Sequence, residues 1–169
     1  MTDAVGRSSG ESRAAVLYFA YGSNMDWSQM RGRCPSAQFV CVAKLPDHHL
    51  AFTRKSQHRG CGVGDAVPAK GSAVWGVIFQ IDETDTGRLD QSEGFSPGRA
   101  QNSYVREERQ ALENGDPEKP MNAWVYFANR QPNPPLPNAE YKRLIVEGAR
   151  YWHLPEQYIK ELERIEVTQ

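Results

Sequence analysis

Hydrophobic residues in this chain come in short runs separated by breaks rich in glycine, proline and asparagine. Residues 16–20 (Val-Leu-Tyr-Phe-Ala) form an apolar run too short for a typical helix and read as a buried strand. The run stops at Tyr21-Gly22-Ser23-Asn24, and residues 25–31 read as a short helix with Ser23 or Asn24 at its N-cap. Residues 38–43 and 48–53 read as two further strands joined by a turn at Lys44-Leu45-Pro46-Asp47. Residues 57–71, rich in glycine and polar side chains, read as a loop with one short strand around Val63. Residues 72–81 form the strongest strand, with Val74, Trp75, Val77, Ile78 and Phe79 β-branched or aromatic.

Asp82 then caps a helix ending near Ser92 or Glu93, where Gly94 supplies the stop. Residues 104–112 and 121–128 form a hairpin around the turn signal Glu113-Asn114-Gly115-Asp116. Residues 132–137 are an extended, proline-rich linker. Asn138 caps a helix to about Trp152, with Tyr141, Leu144, Ile145, Ala149 and Trp152 at helical spacing, and Pro155 opens a last helix through Ile165. The sum is six or seven strands and three or four helices. This is an α+β pattern whose hairpins argue for a mixed, mostly antiparallel sheet, able to curl into a small barrel with flanking helices.

The 169 residues fit one domain, residues 14–169, behind a polar N-terminal tail of residues 1–13 that reads as disordered and lacks the apolar core of a signal peptide. A net charge of −1 gives no basic excess for nucleic acid. No apolar run approaches the roughly 20 residues of a membrane span. Cys34, Cys41 and Cys61 are odd in number and include no CxxC pair, so they read as buried, reduced thiols of a cytoplasmic protein rather than disulfide partners or zinc ligands. His48, His49, His58 and His153 show no metal spacing, and no metal or other cofactor is expected.

Candidate chemistry concentrates at two points. A strand that ends in Tyr-Gly-Ser-Asn presents several backbone N–H groups together, a nest for a carboxylate or a developing oxyanion, with the positive end of the following helix aimed at the same place. Gly22 there implies either a positive φ or a ligand packed against the backbone. Glu93 ends a helix whose dipole disfavours a carboxylate, and Gly94 and Phe95 beside it offer little compensating charge. Both effects push its pKa towards the range of a general base. By residue chemistry alone it is still one glutamate among many. Tyr104, Tyr126 and Tyr141 each offer a hydroxyl, although buried tyrosines more often serve packing. Gly60-Cys61-Gly62-Val63-Gly64 does not sit between a strand and a helix and makes a weak phosphate loop; Walker, GxGxxG and GxSxG patterns are absent.

Taken together, Tyr18-Phe19-Ala20-Tyr21-Gly22-Ser23-Asn24-Met25, Val74-Trp75-Gly76-Val77, Leu89-Asp90-Gln91-Ser92-Glu93-Gly94-Phe95, Tyr141-Lys142, Gly148-Ala149 and Leu154-Pro155-Glu156-Gln157-Tyr158 resemble the γ-glutamylcyclotransferase family. The match runs in order from about residue 16 to residue 166. The resemblance implies a small β-barrel with flanking helices and a cavity at one end. It implies that Tyr18, Phe19, Ala20, Tyr21, Gly22, Ser23 and Asn24 bind a γ-glutamyl group, that Glu93 is the general base, and that Tyr141 and Tyr104 line the pocket. The stretch 95–103 looks longer than in the animal enzyme and is expected to border the pocket.

The implied reaction is cyclisation of a γ-glutamyl amide, such as a γ-glutamyl amino acid, to 5-oxoproline, formally a C–N lyase or acyl transfer linked to glutathione metabolism. A γ-glutamylamine, glutathione or an acylated natural product is an alternative substrate, and a non-catalytic γ-glutamyl-binding module is an alternative role. The expected partner is that small molecule alone, with no nucleic acid or membrane, on a monomer or homodimer.

Overall fold

A computed structural model describes residues 13–169. The tail expected over residues 1–13 therefore lies outside the described residues except for Arg13, which is exposed and faces Asp82 at 3.6 Å. Five strands close into a barrel: β1 (Ala15–Ala20), β2 (Gln38–Lys55), β3 (Gly62–Asp82), β4 (Tyr104–Glu113) and β5 (Pro120–Ala128), in the order β1-β3-β2-β4-β5. All neighbours pair antiparallel except the closing pair, where Tyr18 of β1 lies parallel to Trp124 of β5. Four α-helices accompany it among the described residues: α1 (Trp27–Arg33), α2 (Glu83–Ser92), α3 (Ala139–Tyr151) and α4 (Glu156–Glu163).

The mixed α+β barrel is the architecture the sequence pattern points to, with fewer and longer strands. The turn expected at residues 44–47 is instead a bulge within one 18-residue strand. Pairing with β3 shifts register between Pro46 and His48, and Asp47 adopts φ 57°. The bulge accommodates a proline and an aspartate that a flat strand would reject. Likewise, of the glycine-rich stretch 57–71 expected as a loop, residues 57–61 are a turn and residues 62–71 are the first half of β3, held as a strand by its ladder to β2. Beyond the bulge these two half-strands form a long hairpin arm that bonds to the end of β5 and the residues after it.

Period-two alternation splits the strand residues between two cores. Phe19, Cys41, Leu45, Val74, Ile78, Val125 and Phe127 form one cluster drawn from the strands, the barrel interior. Tyr18, Ala20, Val77, Phe79 and Ile81 face the other way, against Met30, Leu89, Ile145, Ala149 and Leu162 of the helices. The N-terminal end of α3 is set by Asn138, whose side chain accepts from the Tyr141 N–H. Gly148 lets α3 press on the chain after β1, since a Cβ there would lie 2.7 Å from Met25 backbone.

Candidate active site

β1 ends at Ala20, and the chain turns through Tyr21 and Gly22 into a single 3-10 turn, Ser23–Met25, before α1. Two expectations change here. The cap of α1 is Asp26, which accepts from the Gln29 N–H at 2.8 Å, rather than Ser23 or Asn24. The N–H groups left free at the site therefore belong to Gly22, Ser23 and Asn24 at the start of the 3-10 turn, and none has a protein acceptor among the described residues. Gly22 has φ −112°, so positive φ is not why glycine stands here. A Cβ would instead project to 3.4 Å from the Tyr141 hydroxyl.

Facing this turn is a cavity of about 340 Å³. Tyr18, Tyr21, Gly22, Ser23, Asn24, Glu93, Tyr104 and Tyr141 all line it. Phe19 and Ala20 do not. The Phe19 ring is buried in the barrel interior and the Ala20 methyl in the layer beneath the helices, because strand residues alternate in facing and the turn begins only after Ala20. The stretch 95–103 also departs from expectation. Only Ser103 from it reaches the cavity, while Asn102 ties the rest to itself through Ser96 and Arg99.

Glu93 is the C-cap residue of α2, and Gly94 follows at φ 62°, the left-handed stop expected of it. The carboxylate accepts from Asn24 Nδ2 at 3.0 Å, and the same nitrogen lies 3.0 Å from Tyr18 Oη. Asn24 Oδ1 accepts in turn from Gln29 Nε2 at 3.0 Å and Arg33 at 2.7 Å. Both ends of the amide are therefore fixed and its orientation is determined. Desolvation raises the Glu93 pKa above its ordinary value. The charges of Arg33 and Arg59 work against that rise, and Asp90 adds to it. The charge compensation that the residues adjacent in sequence do not offer comes from arginines 34 or more positions away.

Gly64 organises the opposite wall. Its N–H donates to Tyr141 Oη at 2.9 Å and its carbonyl accepts from Tyr104 Oη. Tyr104 spends its proton on that carbonyl, whereas Tyr141 accepts a bond and keeps its own proton to donate. Tyr21 donates to the Tyr126 carbonyl. Tyr126 lines the cavity, but its hydroxyl donates to Asp90, which also receives Arg106 at 2.9 and 2.7 Å. Asp90 sits one turn before Glu93 on α2, so this brace fixes the helix end to β4 and β5.

Sequence reading missed the cations. Arg33, Arg54, Lys55 and Arg59 all line the cavity, three of them on the hairpin arm that was expected to be partly loop. Arg59 donates to Gln29 Oε1 at 2.7 Å and Ser23 Oγ at 3.2 Å, with its guanidinium 5.0 Å from the Tyr141 ring centroid. No periodicity marks these residues, because tertiary packing brings the hairpin arm and the end of α1 to one cavity. Among the described residues, no group of three or more His, Cys, Asp or Glu side chains is arranged to hold a metal ion. No helix there is long and apolar enough to cross a membrane.

Known proteins resemble this chain in sequence and in fold. The model of the AIG2-like family matches residues 73–162. The γ-glutamylcyclotransferase of Homo sapiens is 33% identical over 161 residues, spanning 93% of this chain and 82% of that protein. The Mus musculus enzyme of the same name is 32% identical over the same share. A solved structure of a γ-glutamyl cyclotransferase superposes with a TM-score of 0.83 at 30% identity, covering 92% of this chain and 90% of the other. Identity at this level over most of both chains, with the same fold, shows that the chain belongs to the γ-glutamylcyclotransferase family.

Proposed function

We propose that this protein carries out its family's reaction in the cavity described above, cyclising a γ-glutamyl amide to 5-oxoproline and releasing the amine. The observation that carries the assignment of roles is the hydrogen bond from Asn24 to Glu93, which holds a carboxylate of raised pKa in a cavity that also contains unpaired N–H donors.

The substrate's α-amine attacks its own γ-carbonyl. A C–N bond forms to close the five-membered lactam, and the original amide C–N bond breaks. Glu93 takes a proton from the attacking amine and returns it to the departing nitrogen. In the sum, the α-ammonium loses two protons and the leaving amine gains two, so none is taken up or released. Because the nucleophile is already tethered, holding it in a near-attack pose removes much of the entropic barrier, and the chemistry requires no external nucleophile. The N–H groups of Gly22, Ser23 and Asn24 are suited to the substrate carboxylate and the tetrahedral oxyanion, each donor to the latter being worth about 3–4 kcal/mol in comparable sites. The free Tyr141 hydroxyl proton, opposite Gly22, is a further donor.

Three buried, free cysteines support a cytoplasmic location. The partner in this reading is the small-molecule substrate, on a monomer or homodimer, without nucleic acid or membrane.

The test is 5-oxoproline release from γ-glutamyl-alanine, glutathione and γ-glutamyl-lysine, with Glu93→Gln in parallel. Glutamine keeps the oxygen that accepts from Asn24 but cannot carry the proton. A loss of about 10²–10⁴ in kcat with substrate binding retained is expected. Near wild-type turnover in the variant removes Glu93 from its role. Binding without product from the wild type favours a γ-glutamyl sensor instead.

A further inference from the structure

Charge around the cavity is unbalanced. Four cations line it, against the single carboxylate of Glu93. None of the four belongs to an ion pair among the described residues. Arg33 and Arg59 donate to side-chain oxygens of neutral residues, Arg54 donates to the Asn129 carbonyl at 3.0 Å, and the Lys55 ammonium has no protein acceptor there. Elsewhere the chain does pair its buried acids with arginine: Asp65 takes Arg130 at 2.8 Å and Asp90 takes Arg106. Inside the cavity positive charge therefore outnumbers negative, with no carboxylate but that of Glu93 among the lining residues. Clustered cations without counter-ions repel one another, and a site lined by one sign of charge attracts ligands of the other.

The cations divide into two groups. Arg33 and Arg59 bond to the network of Ser23, Asn24 and Gln29, and both act on the acidity of Glu93. They serve the reacting end, where the γ-glutamyl group brings one carboxylate of its own. Arg54 and Lys55 lie at the end of β2, take no part in that network, and are held by main-chain and side-chain contacts to Asn129 and Gln131 after β5. Their charge is left for the other half of the substrate.

We infer that Arg54 and Lys55 form a subsite for an acidic group on the leaving amine, so that the preferred substrate is the γ-glutamyl amide of an acidic amino acid, which carries a side-chain carboxylate besides its α-carboxylate. This rests on the cyclotransferase reading and specifies its substrate. Arginine supplies a planar fork for one carboxylate and lysine a mobile point charge beside it.

The experiment compares kcat/KM for γ-glutamyl-aspartate, γ-glutamyl-alanine and γ-glutamyl-ethylamide at low and high salt, in the wild type and in the Arg54→Gln/Lys55→Gln double variant. The wild type is expected to lose about tenfold for each leaving-group carboxylate removed, the effect of one charge-assisted hydrogen bond. Salt narrows the aspartate advantage, and the double variant collapses the aspartate-to-alanine ratio towards one. Equal kcat/KM for aspartate and alanine in the wild type, or an unchanged ratio in the variant, overturns the inference. If no compound yields 5-oxoproline, the cyclotransferase reading fails. The subsite is then judged by calorimetric binding of the same three compounds to both proteins: aspartate tightest in the wild type only supports it, and equal affinities overturn it.

Discussion

Asn24 and Glu93 stand 69 positions apart in the chain, and Nδ2 of one lies 3.0 Å from Oε1 of the other. The amide belongs to the 3-10 turn after β1 and the carboxylate to the end of α2, so the bond joins the turn proposed to bind anions to the proposed general base. Asn24→Ala removes the donor to Glu93 and to Tyr18 and frees Arg33 and Gln29 from their shared acceptor. Misplacement of a reacting group by about an ångström costs about 10²-fold, and a fall of that size in kcat, larger than any change in KM, is expected from steady-state kinetics on the folded variant. A change confined to KM would mean that Asn24 binds substrate without positioning the acid.

Arg33 and Arg59 hold the Glu93 pKa below where burial alone would put it. In the proposed mechanism the carboxylate is the working form of the base, so kcat/KM is expected to rise as pH climbs through that pKa. Arg33→Gln removes one of the lowering charges and moves this rise to higher pH, alongside a lower plateau from the loosened Asn24. The pH profile of kcat/KM reads both effects, and a rise at unchanged or lower pH contradicts the electrostatic account.

The same burial makes Glu93 costly to the fold. Its pKa is higher in the folded chain than in the unfolded one, so the folded state binds the proton more tightly. Stability is then lost as pH rises from the ordinary glutamate value of 4.5 through the raised one. Glu93→Gln removes that loss: its Tm at pH 7 should exceed the wild type's, with the gain fading below pH 4.5. Thermal melts across pH check the sign. Higher stability with lost turnover is the exchange expected of an acid retained for catalysis.

Asp90 carries a different load. It receives Tyr126 and two bonds from Arg106, whose guanidinium also lies 3.7 Å from the Trp124 ring centroid. Breaking a fully buried pair costs about 3–5 kcal/mol. Arg106 keeps 23% of its side chain in contact with water, so Asp90→Asn should cost less, about 2–3 kcal/mol by urea unfolding. Because Asp90 anchors the turn that ends at Glu93, kcat should fall as well. A destabilised variant with full kcat would show that the helix end holds Glu93 without the brace.

Much of this protein was legible in its pattern of residues. The short apolar run before Tyr21, the Asn-Gly turn between β4 and β5 and the caps at Asn138 and Gly94 depend on neighbours within a few positions, so local chemistry determines them. The ordered set of motifs from Tyr18 to Tyr158 was enough to identify the family, and it is what proposes Glu93 as the acid. Tertiary structure decided whatever depends on partners far along the chain. Pro46, Asp47 and the glycines of 60–64 look like breaks, yet β2 and β3 run through or up to them, because ladder hydrogen bonds and a bulge outweigh local propensity. Phe19 and Ala20 belong to the motif but face two cores, since alternation on a strand sends neighbours to opposite sides. The charges of Arg33 and Arg59 act on Glu93, and Arg54 and Lys55 line the same cavity, because tertiary packing brings α1, the hairpin arm and the end of α2 together. Charge acts through space, and a sequence records only order along the chain.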